Sequence, residues 1–191
     1  MARTSQDAIH SYVTDMLALE DHIEKAIMTQ VEDFEDDYPA VGSALREMHR
    51  TIERHITSLR GLEDLRDSGP RLDVADFIKR AASTVAGLGA AAIDLVRTEK
   101  LPKNLRDDYT AFSLATIGYV MLHTTARSLG DARVAAVAES HLTDYAGMVM
   151  SLNDLIPSTV VTLLKEEGLP ARDETLADIE QTIRNAWRQK A

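Results

Sequence analysis

Through most of the chain, apolar residues return at steps of three or four, and this period near 3.6 calls for amphipathic helices rather than strands. Ile9, Val13, Met16, Glu20, Ile23, Ile27, Val31 and Phe34 form one such series, which places a single stripe along a helix over residues 5–34. A turn at Asp36, Asp37, Tyr38 and Pro39 separates it from a second stripe of Val41, Leu45, Met48, Ile52, His55, Leu59 and Leu62. Each stripe has one member out of character: Glu20 in the first, His55 in the second.

Further on, Ser68, Gly69 and Pro70 break the pattern, and Asp73 is placed to cap a helix over residues 73–96. Its middle, residues 81–92, is nearly all small side chains, which permits close approach of another helix while Gly87 and Gly89 lower helix propensity. Beyond Pro102, Asn104 can cap a helix whose stripe is Leu105, Asp108, Phe112, Ala115, Tyr119, Leu122, Ala126 and Leu129, with Gly130 as its stop. Asp131 restarts the chain, and Val134, Ala138, His141, Tyr145, Met148, Leu152 and Leu155 predict a helix ending before Pro157. A short helical piece over residues 158–167, stopped by Gly168, precedes a last helix from Asp173 bearing Leu176, Ile179, Ile183 and Trp187. Long helices on short turns predict an all-α antiparallel bundle over residues 1–157, with a C-terminal helical extension over residues 158–191.

Composition removes several function classes. With no cysteine there is no disulfide, no thiolate nucleophile and no Cys-ligated zinc or iron–sulfur site. A net charge of −10, without a basic patch interleaved with aromatics, argues against nucleic acid as a partner. There is no Gly-rich phosphate loop, no G-x-S-x-G elbow and no H-E-x-x-H. The segment over residues 1–12 lacks the apolar stretch of a signal peptide, and the apolar window over residues 85–96 is short for a bilayer span and carries Asp94. A soluble, cytoplasmic protein is the expectation, with no membrane partner.

Glu20 and His55 carry the chemical interest, because a carboxylate in a bundle core is unstable unless it is paired or binds a metal. The pair can be a hydrogen-bonded polar layer or the start of a metal site. His141 is the further inward candidate, so a single ion held by Glu20, His55 and His141 is the sharper alternative; a core histidine bonded to Tyr145, Glu20 or water is the simpler one. His49 and Glu53, four residues apart among Arg46, Arg50 and Arg54, read as a solvated, salt-bridged face. The acidic run from Glu32 to Asp37 reads as a solvated helix end, since it lacks the Gly and terminal Glu of a calcium loop.

Asp15-Met16-Leu17-Ala18-Leu19-Glu20, the run from Thr51 through His55 to Leu59, Tyr119 to Leu122 with Leu129-Gly130, and the stretch over residues 142–152 together resemble the YciE/YciF-type ferritin-like proteins. The resemblance covers about residues 9–155. It implies a four-helix ferritin-like bundle with an additional helix, a tendency to dimerise, a role in stress physiology and a carboxylate-rich di-metal site. Glu20 matches the family's first-helix glutamate, and His55 falls where the family has Gln or His. The remaining ligands are replaced: Thr51 stands for a glutamate, Phe112-Ser113-Leu114-Ala115 for a Glu-His-x-Glu run, and Asp144 with Tyr145 for paired glutamates. Two metals need about four carboxylates plus imidazoles.

The expectation is therefore a non-catalytic ferritin-like structural or interaction protein without a cofactor. The alternative is an iron- or manganese-binding relative, oxidoreductase or storage protein, with a reduced site at Glu20, His55 and His141. A homodimer is the expected partner state, and the C-terminal helix docks its apolar stripe on its own bundle or on a second copy.

Overall fold

The computed structural model describes residues 4–64 and 100–187, and the helix expected over residues 73–96 lies outside them. Among the described residues the elements are α1 (Ser5–Phe34), α2 (Pro39–Asp64), α3 (Lys100–Ser128), α4 (Ala132–Glu166), a 3-10 turn (Asp173–Thr175) and α5 (Leu176–Trp187), with no strand. The all-α bundle is thus the fold.

Local chemistry sets the helix ends. Thr4 caps α1 by accepting from the Asp7 amide while the Asp7 carboxylate accepts from the Thr4 amide, which satisfies two otherwise unpaired donors. Pro39 opens α2 at a position where its missing N–H costs nothing. Gly130, at φ +80°, ends α3 in a left-handed conformation, and Asp131 caps α4 through the Val134 amide.

Neighbouring helices run antiparallel. α1 meets α2 at Thr14 and Glu63, Glu20 and His55, and Glu24 and His49. It meets α3 at Glu20 and Tyr119 and at Gln30 and Asp108. α3 meets α4 at Tyr119 and His141, and α2 meets α4 at His55 and Asp144. The directions are therefore up, down, down, up, and the end of α2 and the start of α3 lie at opposite ends of the bundle. The stripes converge on one core in which Ile27, Leu45, Ile52, Leu59, Leu105, Phe112, Leu122 and Leu152 are fully buried. Each such side chain contributes about 1.5–3 kcal/mol by leaving water. Where α1 and α3 touch, Gly118 makes room for Met16: a Cβ there would lie 2.5 Å from the thioether sulfur.

Three details differ from the sequence reading. α3 is already helical at Lys100, so Asn104 is not its cap, and Leu101 joins the core. α4 does not stop before Pro157 but continues to Glu166. The hydroxyls of Ser158 and Thr159 both bond the Leu155 carbonyl, and burial of Thr159 and Val161 offsets the helix bond that proline removes. The His49–Glu53 pair forms, Nδ1 to Oε2 at 3.6 Å with Glu53 exposed, but His49 itself is mostly buried and its Nε2 lies 2.7 Å from Glu24 of α1.

α4 is also long and apolar enough, by length and composition alone, to cross a membrane. In this fold its inward stripe of Val134, Ala138, Tyr145 and Leu152 belongs to the bundle core. Past α4, Gly168 at φ +77° turns the chain, and Lys165 pairs with Asp173. α5 then runs with no fully buried residue, leaving Ile179 and Trp187 exposed.

Candidate functional site

Halfway along the bundle each of the four long helices contributes a polar side chain to one layer. Glu20 comes from α1, His55 from α2, Tyr119 from α3, and His141 with Tyr145 from α4. The helical period delivers them, because each occupies a stripe position that would otherwise hold an apolar residue.

Glu20 is wholly buried and sits at the centre. Tyr119 donates its hydroxyl proton to Oε1 at 2.5 Å, and Tyr145 donates to Oε2 at 2.6 Å. His55 Nδ1 lies 3.1 Å from Oε1. The Tyr119 proton being committed to Glu20, its oxygen accepts from His141 Nδ1 at 3.0 Å, which assigns the His141 proton to Nδ1 and a lone pair to Nε2. His55 Nε2 faces Asp144 Oδ2 at 3.0 Å, so both nitrogens of His55 meet carboxylates, and the pattern closes when both donate. The Asp144 side chain is 40% exposed and connects the layer to the surface.

Aromatic packing holds these groups in place. The imidazoles of His55 and His141 stack at 3.9 Å, Tyr119 and Tyr145 stack at 5.8 Å, and Phe112 sets its edge against Tyr145 at 5.6 Å. Burial, followed by the His55 charge, pulls His141 down to about 3, which keeps its ring neutral. Burial, then the Glu20 charge, pushes Tyr119 and Tyr145 well above the ordinary phenol range, so both remain donors.

All three sequence candidates meet here: ligand atoms of Glu20, His55 and His141 lie within 4.8 Å of one another. His141, however, bonds Tyr119 rather than Tyr145, Glu20 or water, and Asp144 reaches His55. Tyr119 is the member that sequence reasoning missed. Its stripe position was legible, but a tyrosine there reads as core, and only its hydroxyl's two partners reveal its part.

A two-metal centre does not fit this layer. Phe112 and Ala115 are fully buried on the α3 face, so those positions supply no ligand, and among the described residues Glu20 is the single carboxylate in the buried part of the layer. One ion could meet one carboxylate and two imidazoles, but Glu20 already faces two phenol protons and an imidazole.

Fold and site together define a helical bundle with a buried carboxylate, imidazole and phenol layer. Residues 4–165 match a family described as a domain of unknown function, DUF892, and the chain belongs to that family. Among solved structures it is similar to the crystal structure of a protein from Xanthomonas campestris pv. campestris, with 20% identity over 86% of this chain and 99% of the other, at a TM-score of 0.67. That likeness concerns the fold alone. No curated protein matches.

Proposed function

We propose that this chain is a non-catalytic, ferritin-like structural or interaction protein of the YciE/YciF type, in which the Glu20 layer holds four helices in register rather than performing chemistry. The occupancy of Glu20 carries the reading: three donors from three helices already engage its two oxygens. The up, down, down, up order agrees with ferritin-like bundles, which use one long crossover. A cytoplasmic location and a role in stress physiology complete the reading. Elemental analysis of protein purified without chelator tests it: no stoichiometric iron or manganese is expected, and about two metals per chain overturns it.

One observation favours a second reading, a mononuclear iron or manganese site: Glu20, His55 and His141 lie within 4.8 Å of one another. On that reading one metal per chain is found, and Glu20→Ala or His55→Ala abolishes it.

The protein is further proposed to act as a homodimer, with neither nucleic acid nor membrane as partner. Exposed apolar residues support self-association: Ile179 and Trp187 on α5, and Leu114, Ile117, Val120 and Met121 on α3. A monomeric mass in solution removes the dimer. If residues 173–191 are deleted and a dimer remains, α5 is not its interface.

A further inference from the structure

A second buried polar pair lies toward the other end of the α1/α3 contact and takes no part in the Glu20 layer. Gln30 of α1 is 8% exposed and Asp108 of α3 is 5% exposed. The amide nitrogen of Gln30 donates to Asp108 Oδ1 at 2.8 Å. Among the described residues two oxygens have no partner, Oε1 of Gln30 and Oδ2 of Asp108.

Acceptor arithmetic makes this arrangement informative. An ionised carboxylate and an amide oxygen are both acceptors, so neither orphan can satisfy the other. A proton on Oδ2 turns one orphan into a donor and gives the carboxyl group the neutral charge that its surroundings demand. Those surroundings are apolar. On its own helix Asp108 is flanked by Leu105 and Phe112, and Gln30 by Ile27 and Phe34, all buried. The register that pairs Glu20 with His55 and Tyr119 with His141 puts Leu45 of α2 and Leu152 of α4 at this level, both fully buried. The neighbouring ionisable groups along the two helices are Arg106 and Asp107, which pair with each other, Tyr109 and Lys103 on α3, and the exposed Glu32 and Asp33 on α1. Among the described residues, no cation is paired with Asp108.

We propose that Gln30 and Asp108 form a proton-dependent latch at the α1/α3 seam: the seam is closed while Asp108 carries its proton, and it slackens when that proton leaves, because a charge is then buried with the Gln30 amide as its one donor among the described residues. Burial pushes the Asp108 carboxyl up to about 7, a rise that the Gln30 bond moderates and the Asp107 charge reinforces, so the latch operates around neutrality. A raised carboxyl contributes stability that is whole below its unfolded value and is lost as pH rises through its folded value. Nothing in this depends on whether the Glu20 layer binds metal.

Full-length protein tests the latch by denaturant unfolding at pH 5 and pH 8.5, beside Asp108→Asn and Gln30→Leu. The unfolding constant of the native chain relative to Asp108→Asn should rise about 100-fold between these pH values, because the carboxyl titrates about two units above pH 5. A ratio unchanged within about threefold overturns the proposal, since Asp108 would then be ionised throughout and served by a water or a bound cation. If Asp108→Asn fails to fold, carbon-13 titration of the carboxyl in the native chain decides. A midpoint near 7 that moves higher in Gln30→Leu supports the latch, while a midpoint near the ordinary 3.8, or one that Gln30→Leu leaves in place, overturns it. Amide hydrogen exchange, corrected for its intrinsic rate, should lose protection in residues 27–34 and 101–108 at the higher pH; unchanged protection overturns the mechanical part of the idea.

Discussion

Glu20 and Asp108 are both buried carboxyl groups facing the α1/α3 seam, yet they sit in opposite chemical situations. Glu20 receives two phenol protons and an imidazole, and the last of these is itself tied to a surface carboxylate. Asp108 receives one amide proton among leucines and a phenylalanine, and among the described residues one of its oxygens stays unpaired. The contrast teaches that burial does not decide what a carboxyl group does in a core. The number of donors aimed at it does, because each hydrogen bond to the charged form repays part of its lost hydration.

The sharpest way to break the comparison is to empty the better-satisfied layer. Glu20→Ala leaves two phenols and His55 without their common acceptor, and a loss of about 3–5 kcal/mol in urea unfolding is expected. A loss under about 1 kcal/mol would mean that the layer does not hold the bundle together. Tyr145→Phe removes one donor while keeping the ring against Phe112, so about 1.5–3 kcal/mol should go, measured the same way.

A pH profile sharpens the contrast, since the two regions pull in opposite directions. His141 is lowered from 6.5 to about 3, so its contribution is whole above about pH 6.5 and is lost as pH falls toward 3. Asp108 is raised from 3.8 to about 7, so its contribution is whole below about pH 4 and is lost as pH rises toward 7. Between pH 4 and 6.5 the native chain should therefore show a shallow profile. Asp108→Asn should grow more stable with rising pH over that window, and His141→Gln should grow less stable; parallel profiles for the two variants would contradict both assignments. The smallest effect belongs to Gly118→Ala beside the Glu20 layer. The atoms it crowds are the sulfur and terminal methyl of one flexible methionine, so a change under about 1 kcal/mol in thermal unfolding is expected.

Much of the architecture could be read without coordinates. The stripes placed Glu20, His55 and His141 inside the bundle, and the turn at Pro39 and the stop at Gly130 fell where expected. Pro157 was not legible as helix interior, because proline's local preference carries no trace of the tertiary burial of Thr159 and Val161 that takes α4 past it. His49 was legible in part: its pairing with Glu53 along α2 could be read from the spacing, while Glu24 on α1 could not.

Local sequence dictates the long helices of the described residues and the face each turns inward, since a 3.6 period is a property of neighbours three and four positions apart. Which side chains meet across those faces was decided only in three dimensions. Glu20 finds its phenols 99 and 125 residues away and Gln30 finds Asp108 at 78, pairings set by the sliding register of one helix against another. No local pattern encodes that register, because sliding one helix by a turn preserves every stripe while exchanging every partner. So the sequence could place a carboxylate in the core, and only the assembled bundle could supply Glu20 with three donors and Asp108 with one.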